Sequence, residues 1–182
     1  MTAIVGVVQD GEVWMGGDSF CECGAVTYIR TDAKVFFRDE PESNRRILIG
    51  AAGDAILSHL AEMIFDVPAR RADHSAHQYI GMSLGPALFE AIDKHLNLIR
   101  KKKWPNGRFL FGYDSHLYSF DCNGSLLHED SGLMAIGWGD EIAIGALEAT
   151  PELAPEERIR RALSIAAKRT SKVAPPFHIE KL

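Results

Sequence analysis

Residues 2–18 read TAIVGVVQDGEVWMGGD, and the fold turns on how that stretch is taken. Thr2 to Val8 is almost wholly apolar, Asp10-Gly11 is a dipeptide that closes tight hairpins, and Glu12 to Gly17 runs back. An uninterrupted apolar run, instead of strict alternation, fits a strand covered on both faces. The chain thus opens on an antiparallel hairpin that lies inside the molecule.

Further strands are expected at Ala33 to Phe37 and Arg45 to Ala51. The period then changes: Ile56, Leu57, Leu60 and Ile64 fall on one helical face, with Asp54 placed to cap the start. Residues 66–81 are polar and poorly patterned and read as a loop. Pro86 sits where a helix can begin, Leu88, Ile92, Leu96 and Ile99 form its apolar stripe, and Lys101 to Lys103 suit its negative end. Strands return at Arg108 to Tyr113, His116 to Asp121, Ser125 to Glu129 (after the Asn123-Gly124 turn) and Leu133 to Ile136. Two helices follow: one after Gly137-Trp138-Gly139 with Ile142, Ala143, Ala146 and Leu147, and one starting at Pro155 with Ile159, Leu163 and Ala166 inward. Phe177 to Leu182 is a last strand candidate. Strands, two helices, strands and two helices in 182 residues make an α+β chain. The expected architecture is a four-layer αββα sandwich, with residues 1–182 as a single domain.

Composition narrows the function classes. Hydrophobic residues are 46% and charged residues 25%, a globular balance, and the net charge of -5 gives no reason to expect a nucleic-acid partner. No apolar run approaches the roughly 20 residues of a membrane helix, and no signal peptide is visible, so a cytoplasmic protein is expected. The three cysteines are an odd set, which suits reduced thiols. GxSxG, Walker and HExxH motifs are absent, Cys21 and Cys23 with distant Cys122 fall short of four zinc ligands, and neither a metal nor a cofactor is expected.

One constellation carries chemistry. Thr2 becomes the first residue if Met1 is removed, Asp18 lies sixteen positions on at the end of the returning strand, and Lys34 another sixteen on at the start of the next. The hairpin brings Thr2 and Asp18 to one end of the sheet, and a neighbouring strand can deliver Lys34. A threonine hydroxyl needs a base, and an α-amine of pKa roughly 7.7–8.0 supplies one within the same residue. A lysine cation would stabilise negative charge developing on the hydroxyl oxygen, and an aspartate would hold that lysine charged and oriented.

These residues belong to a wider pattern. Thr2 to Val8, Gly16-Gly17-Asp18-Ser19, Ala33-Lys34-Val35, Ile49-Gly50-Ala51-Ala52-Gly53-Asp54 and Ala135-Ile136-Gly137-Trp138-Gly139 occur in the order of, and resemble, the N-terminal nucleophile hydrolases of the proteasome β-subunit and HslV type. The resemblance spans essentially the whole chain. It implies Thr2 as nucleophile, Asp18 and Lys34 as its supporting pair, and the Gly53 N–H as an oxyanion donor. It places Cys21, Glu22, Asp32, Ala51 and Ala55 around the substrate, which lies extended as an added strand, with Asp32 favouring a basic side chain before the cut. It further implies a homo-oligomeric ring or stacked rings, a peptide or unfolded-protein substrate and an ATP-dependent unfoldase partner.

Two positions depart from the family pattern. Trp138 stands where the family has a serine near the terminal amine, and Thr170 where it has an aspartate. If the indole turns away into a core, the site survives. If it does not, a catalytically silent structural or assembly component is the alternative reading. Amide hydrolysis of a small molecule by the same nucleophile is a third.

Overall fold

The computed structural model describes residues 2–99 and 103–182. Met1 and two of the three lysines expected to end the helix, Lys101 and Lys102, lie outside the described residues. The opening hairpin is as read: β1 (Ala3–Gln9) pairs antiparallel with β2 (Glu12–Gly17), with Val8 opposite Val13 and Ile4 opposite Gly17. A hairpin β3 (Phe20–Cys23)–β4 (Val26–Ile29) follows, then β5 (Val35–Asp39) and β6 (Arg46–Gly53). After the helices come β7 (Gly107–Tyr113), β8 (His116–Asp121), β9 (Leu126–His128), β10 (Leu133–Gly137) and, at the end, β11 (His178–Lys181).

Two sheets carry most of these strands, one ordered β10-β1-β2-β11 and the other β5-β6-β7-β8-β9. Ile4, Met15, Leu48, Leu110 and Ile136 fill the space between them. The neighbours of those residues along the strands point the other way. Ala3, Val5 and Val7 meet α4 (Asp140–Glu148) and α5 (Pro155–Arg169), while Ile47, Ile49, Phe109 and Phe111 lie in the core under the remaining helices. Each of these strands is thus buried on both faces, which is why its sequence is a continuous apolar run. The order helices, sheet, sheet, helices is the expected αββα sandwich.

The first helical layer departs from expectation in detail. α1 (Ala55–His59) continues into a π-turn at Leu60–Ile64, which shifts the phase and leaves Ile64 exposed. The Asp54 side chain does not cap α1; its Oδ2 accepts from the Asn106 backbone N–H at 3.1 Å. The segment expected as a loop up to residue 81 holds α2 (Ala76–Tyr79), which opens with a full capping box between Ser75 and Gln78. α2 runs through a second π-turn, Ile80–Leu84, into α3 (Gly85–Leu98), so Pro86 lies inside a continuing helical segment and does not begin one. Leu88, Ile92 and Leu96 are buried as expected, whereas Ile99 falls past the helix end and is about half exposed (49%).

Candidate active site

Antiparallel pairing gathers several strand ends at one edge of the sandwich. Ala3 pairs with Gly137 and Ile4 with Gly17, so Thr2, Asp18 and Trp138 are brought together by the ends of β1, β2 and β10. In the facing sheet, Val35 pairs with Gly50 and Gly53 with Gly107, which sets Lys34 and Gly53 at the same edge.

Lys34 Nζ donates to Thr2 Oγ1 at 2.9 Å, to Asp18 Oδ1 at 2.9 Å and to the Phe20 carbonyl at 2.6 Å. Asp18 is fully buried and Lys34 is 2% exposed. Asp18 also accepts from three backbone N–H groups: Ala3 on Oδ1 at 3.0 Å, and Phe20 and Ala174 on Oδ2 at 2.8 and 3.1 Å. A carboxylate held by so many donors cannot rotate, and it pins the start of β1, the start of β3 and the segment after α5 to one point. Burial pushes the Lys34 ammonium below the ordinary lysine value, and the Asp18 charge opposes that shift.

The Thr2 carbonyl is held from the other side, accepting from the Trp138 N–H at 2.6 Å and the Gly139 N–H at 3.3 Å. That approach requires glycine at 137: its φ is +106°, and a Cβ there would lie 2.3 Å from the Thr2 carbonyl oxygen. Gly53 is fixed by the same logic, with φ +124° and a phantom Cβ 2.2 Å from the Asn106 oxygen.

Two cavities meet at Thr2 and Gly53. One, of about 180 Å³, is lined by Cys21, Glu22, Arg30, Ala51, Ala55 and Ser58 among others. The second, of about 370 Å³, lies toward Trp138, Arg108, Asp121 and Asp140.

No protein-family model matches the chain, and no curated protein matches it in sequence. Solved structures do match in shape. BPH of Thiobacillus denitrificans, in complex with epoxomicin, superposes with a TM-score of 0.72 at 14% identity, over 100% of this chain and 98% of that one. HslV from Trypanosoma brucei gives 0.67 at 19%, covering 100% and 99%. The helical assembly of the Anbu complex from Pseudomonas aeruginosa gives 0.68 at 18%, covering 100% and 81%. The chain has the proteasome-type N-terminal nucleophile hydrolase fold.

Within that proteasome-type fold, Thr2, Asp18 and Lys34 form one hydrogen-bonded cluster, and Gly53 borders both cavities beside Thr2. Of the residues expected around the substrate, Cys21, Glu22, Ala51 and Ala55 line the smaller cavity and Asp32 does not. The Asp32 side chain is 59% exposed and ion-pairs with Arg30, whose guanidinium holds the carboxyl below the usual carboxylate range. Arg30 lines the cavity in its place, so the expected preference for a basic residue before the cut loses its basis. Glu22 is likewise engaged, accepting from Lys172 Nζ at 2.5 Å. Trp138 does not turn into a core: its side chain is 65% exposed and borders the larger cavity. Thr170 Oγ1 accepts from the Lys172 N–H at 3.2 Å.

Sequence reasoning missed Arg30, the Phe20 carbonyl and the Ala174 N–H. The last two are backbone groups and leave no trace in side-chain identity. Arg30 was within reach, since Arg30-Thr31-Asp32 places opposite charges two apart just past β4. Among the described residues no group of His, Cys, Asp and Glu is arranged to hold a metal, and no helix is long and apolar enough to cross a membrane.

Proposed function

We propose that the chain is a threonine-type peptidase subunit of a self-compartmentalising, proteasome-like assembly. The observation that carries this is the Lys34 ammonium, 2.9 Å from both Thr2 Oγ1 and Asp18 Oδ1 in a buried site. Once Met1 is removed, the Thr2 α-amine takes the hydroxyl proton as Oγ1 attacks the scissile carbonyl carbon. Lys34 stabilises the charge on Oγ1, and the Gly53 N–H serves the carbonyl oxygen as it becomes an oxyanion. The C–N bond then breaks and the amine returns the proton to the leaving nitrogen. Water cleaves the resulting ester and restores the Thr2 hydroxyl.

The acyl side of the peptide runs along β3 and fills the smaller cavity, where both ion pairs are already internal, so a small or uncharged side chain is favoured there. A helical assembly has a precedent in the Anbu complex; assembly of this chain into a ring, stacked rings or a helix is part of the proposal, as is an ATP-dependent unfoldase that feeds it. So is a cytoplasmic setting, which the unpaired Cys21, Cys23 and Cys122 favour.

An intact-protein mass spectrum before and after epoxomicin tests this. An epoxyketone captures a hydroxyl and an α-amine on the same residue, so a chain lacking Met1 should gain one adduct, and Thr2→Ala none. A chain that keeps Met1, or loses it and takes no adduct, sinks the peptidase reading. One observation favours the silent assembly component in that event: the indole at 138 has a donor and no acceptor to offer a terminal ammonium.

A further inference from the structure

The larger cavity has no role in the steps above, yet it opens on the same Thr2. It shares Thr2 and Gly53 with the smaller cavity, and most of its other walls come from different elements: the turn from β10 into α4, the start of β7, and the end of β8 with the turn that follows it. An extended peptide crossing Thr2 with its acyl side along β3 therefore enters this second cavity with its amine side.

Trp138 dominates the wall it would meet. The indole is the most exposed of the three tryptophans, at 65%, and it stands in a concavity instead of on a convex surface. Its backbone is held still, since the Trp138 and Gly139 N–H groups both bind the Thr2 carbonyl and Gly137 admits no side chain. Gly139 is packed as closely, because a Cβ there would lie 3.0 Å from Val173 and 3.1 Å from Ala3. A large π-face on so fixed a backbone, registered to the nucleophile through its carbonyl, is a stacking surface. Arg108 and Asp140 on the same cavity pair with each other at 3.6 Å, which leaves the aromatic face as the wall's main apolar feature.

We propose that this cavity receives the residue immediately after the scissile bond, and that Trp138 selects an aromatic or similarly flat side chain there by stacking. The inference rests on the peptidase reading and specifies the substrate class of that site. Arg108 and Asp140 offset each other, and the Asp121 carboxylate, which accepts from the Asn123 and Ser125 N–H groups, is the remaining charged group of this lining, so the Lys peptide reads any charge preference separately from stacking.

Quenched-fluorescence peptides with one fixed acyl side and Phe, Trp, Leu, Gly or Lys after the cut provide the test. Wild type should cleave the Phe peptide with roughly tenfold higher kcat/KM than the Gly peptide, the size expected of one aromatic contact plus its burial. That ratio should persist in Trp138→Phe and fall to about one in Trp138→Ala. Because it is a ratio within one enzyme, changes in folded or active fraction cancel. A wild-type ratio at or below one, a ratio unchanged in Trp138→Ala, or a gain in Phe cleavage on removing the indole overturns the inference. Wild type that takes the epoxomicin adduct while showing no aromatic preference loses the subsite and keeps the peptidase; wild type that takes no adduct and cuts nothing loses both.

Discussion

Lys34 is asked to be charged in a place almost closed to water. Oxygens of Thr2, Asp18 and Phe20 compensate, and of these Asp18 carries a full negative charge. Burial still wins, so the Lys34 pKa lies below the ordinary lysine value. The sign for activity follows directly. Capture of epoxomicin should rise with pH as the Thr2 amine loses its proton, near the ordinary α-amine value of about 7.7–8.0. It should fall again as Lys34 loses its own, and that alkaline limb should appear below pH 10.5. Asp18→Asn removes the main influence holding the proton on Lys34, so its alkaline limb should sit at lower pH than in wild type. The same variant presents an amide to N–H groups that now meet a carboxylate, and should lose about 1–3 kcal/mol in denaturant unfolding. An alkaline limb that stays in place in Asp18→Asn would show that Lys34 is not the titrating group.

At the scale of elements, the β3–β4 hairpin behaves unlike the rest of the fold. Val26, Tyr28 and Ile29 on β4 are each more than half exposed, although every other long strand is packed on at least one face. A two-stranded ribbon with an apolar outer strand is marginal alone and offers an open edge to another chain. Given the proposed assembly, a second copy is the expected cover. Tyr28→Asp with Ile29→Lys should reduce the assembled state seen by analytical ultracentrifugation while leaving the monomer's unfolding free energy within about 0.5 kcal/mol, since both sites are exposed. An assembly unaffected by both charges would place the contact elsewhere. The same hairpin was illegible in the sequence, because Phe20-Cys-Glu-Cys and Val26-Thr-Tyr-Ile show no clean alternation, β3 burying Phe20 alone and β4 meeting no core on either face. The helix at Ser75 was legible and was passed over: Ser75-Ala-His-Gln78 is a capping-box pattern, obscured by the polar run before it and by a π-turn that breaks the apolar period after it. Strands buried on both faces, by contrast, announced themselves, because a continuous apolar run with a turn dipeptide has few other uses.

Across the whole molecule, the site is a product of how closely the two sheets approach. Glycines face bulky partners across the gap: a Cβ on Gly6 would lie 2.8 Å from Leu117, on Gly50 2.8 Å from Ile4, and on Gly112 2.7 Å from Val13. Each side chain on one sheet thus fills the space that a missing one on the other leaves, and this spacing brings Lys34 from one sheet to Thr2 and Asp18 on the other. Spacing of this kind is hard to read from sequence, because a strand glycine also marks bulges and turns. Hairpin register depends on local order and made Thr2 and Asp18 legible as neighbours, whereas Lys34 comes from the facing sheet and not from the neighbouring strand expected, so its place, like the direction of Trp138, depends on contacts between distant segments. The coupling of packing to chemistry has a consequence at Gly50. Gly50→Ala would push on Ile4, two residues from Thr2, and overpacking of a dense core costs about 1–3 kcal/mol. Epoxomicin capture per folded molecule should then fall as well, because β1 cannot shift without moving Thr2 relative to Lys34. Gly145 in α4 is the control, since a Cβ there meets nothing within 4 Å. Gly145→Ala should stabilise by up to about 1 kcal/mol through helix propensity and leave capture unchanged. If Gly50→Ala lost stability and kept wild-type capture, Ile4 would have to relax within the core without disturbing β1, and the site would owe its geometry to the Asp18 hydrogen bonds alone.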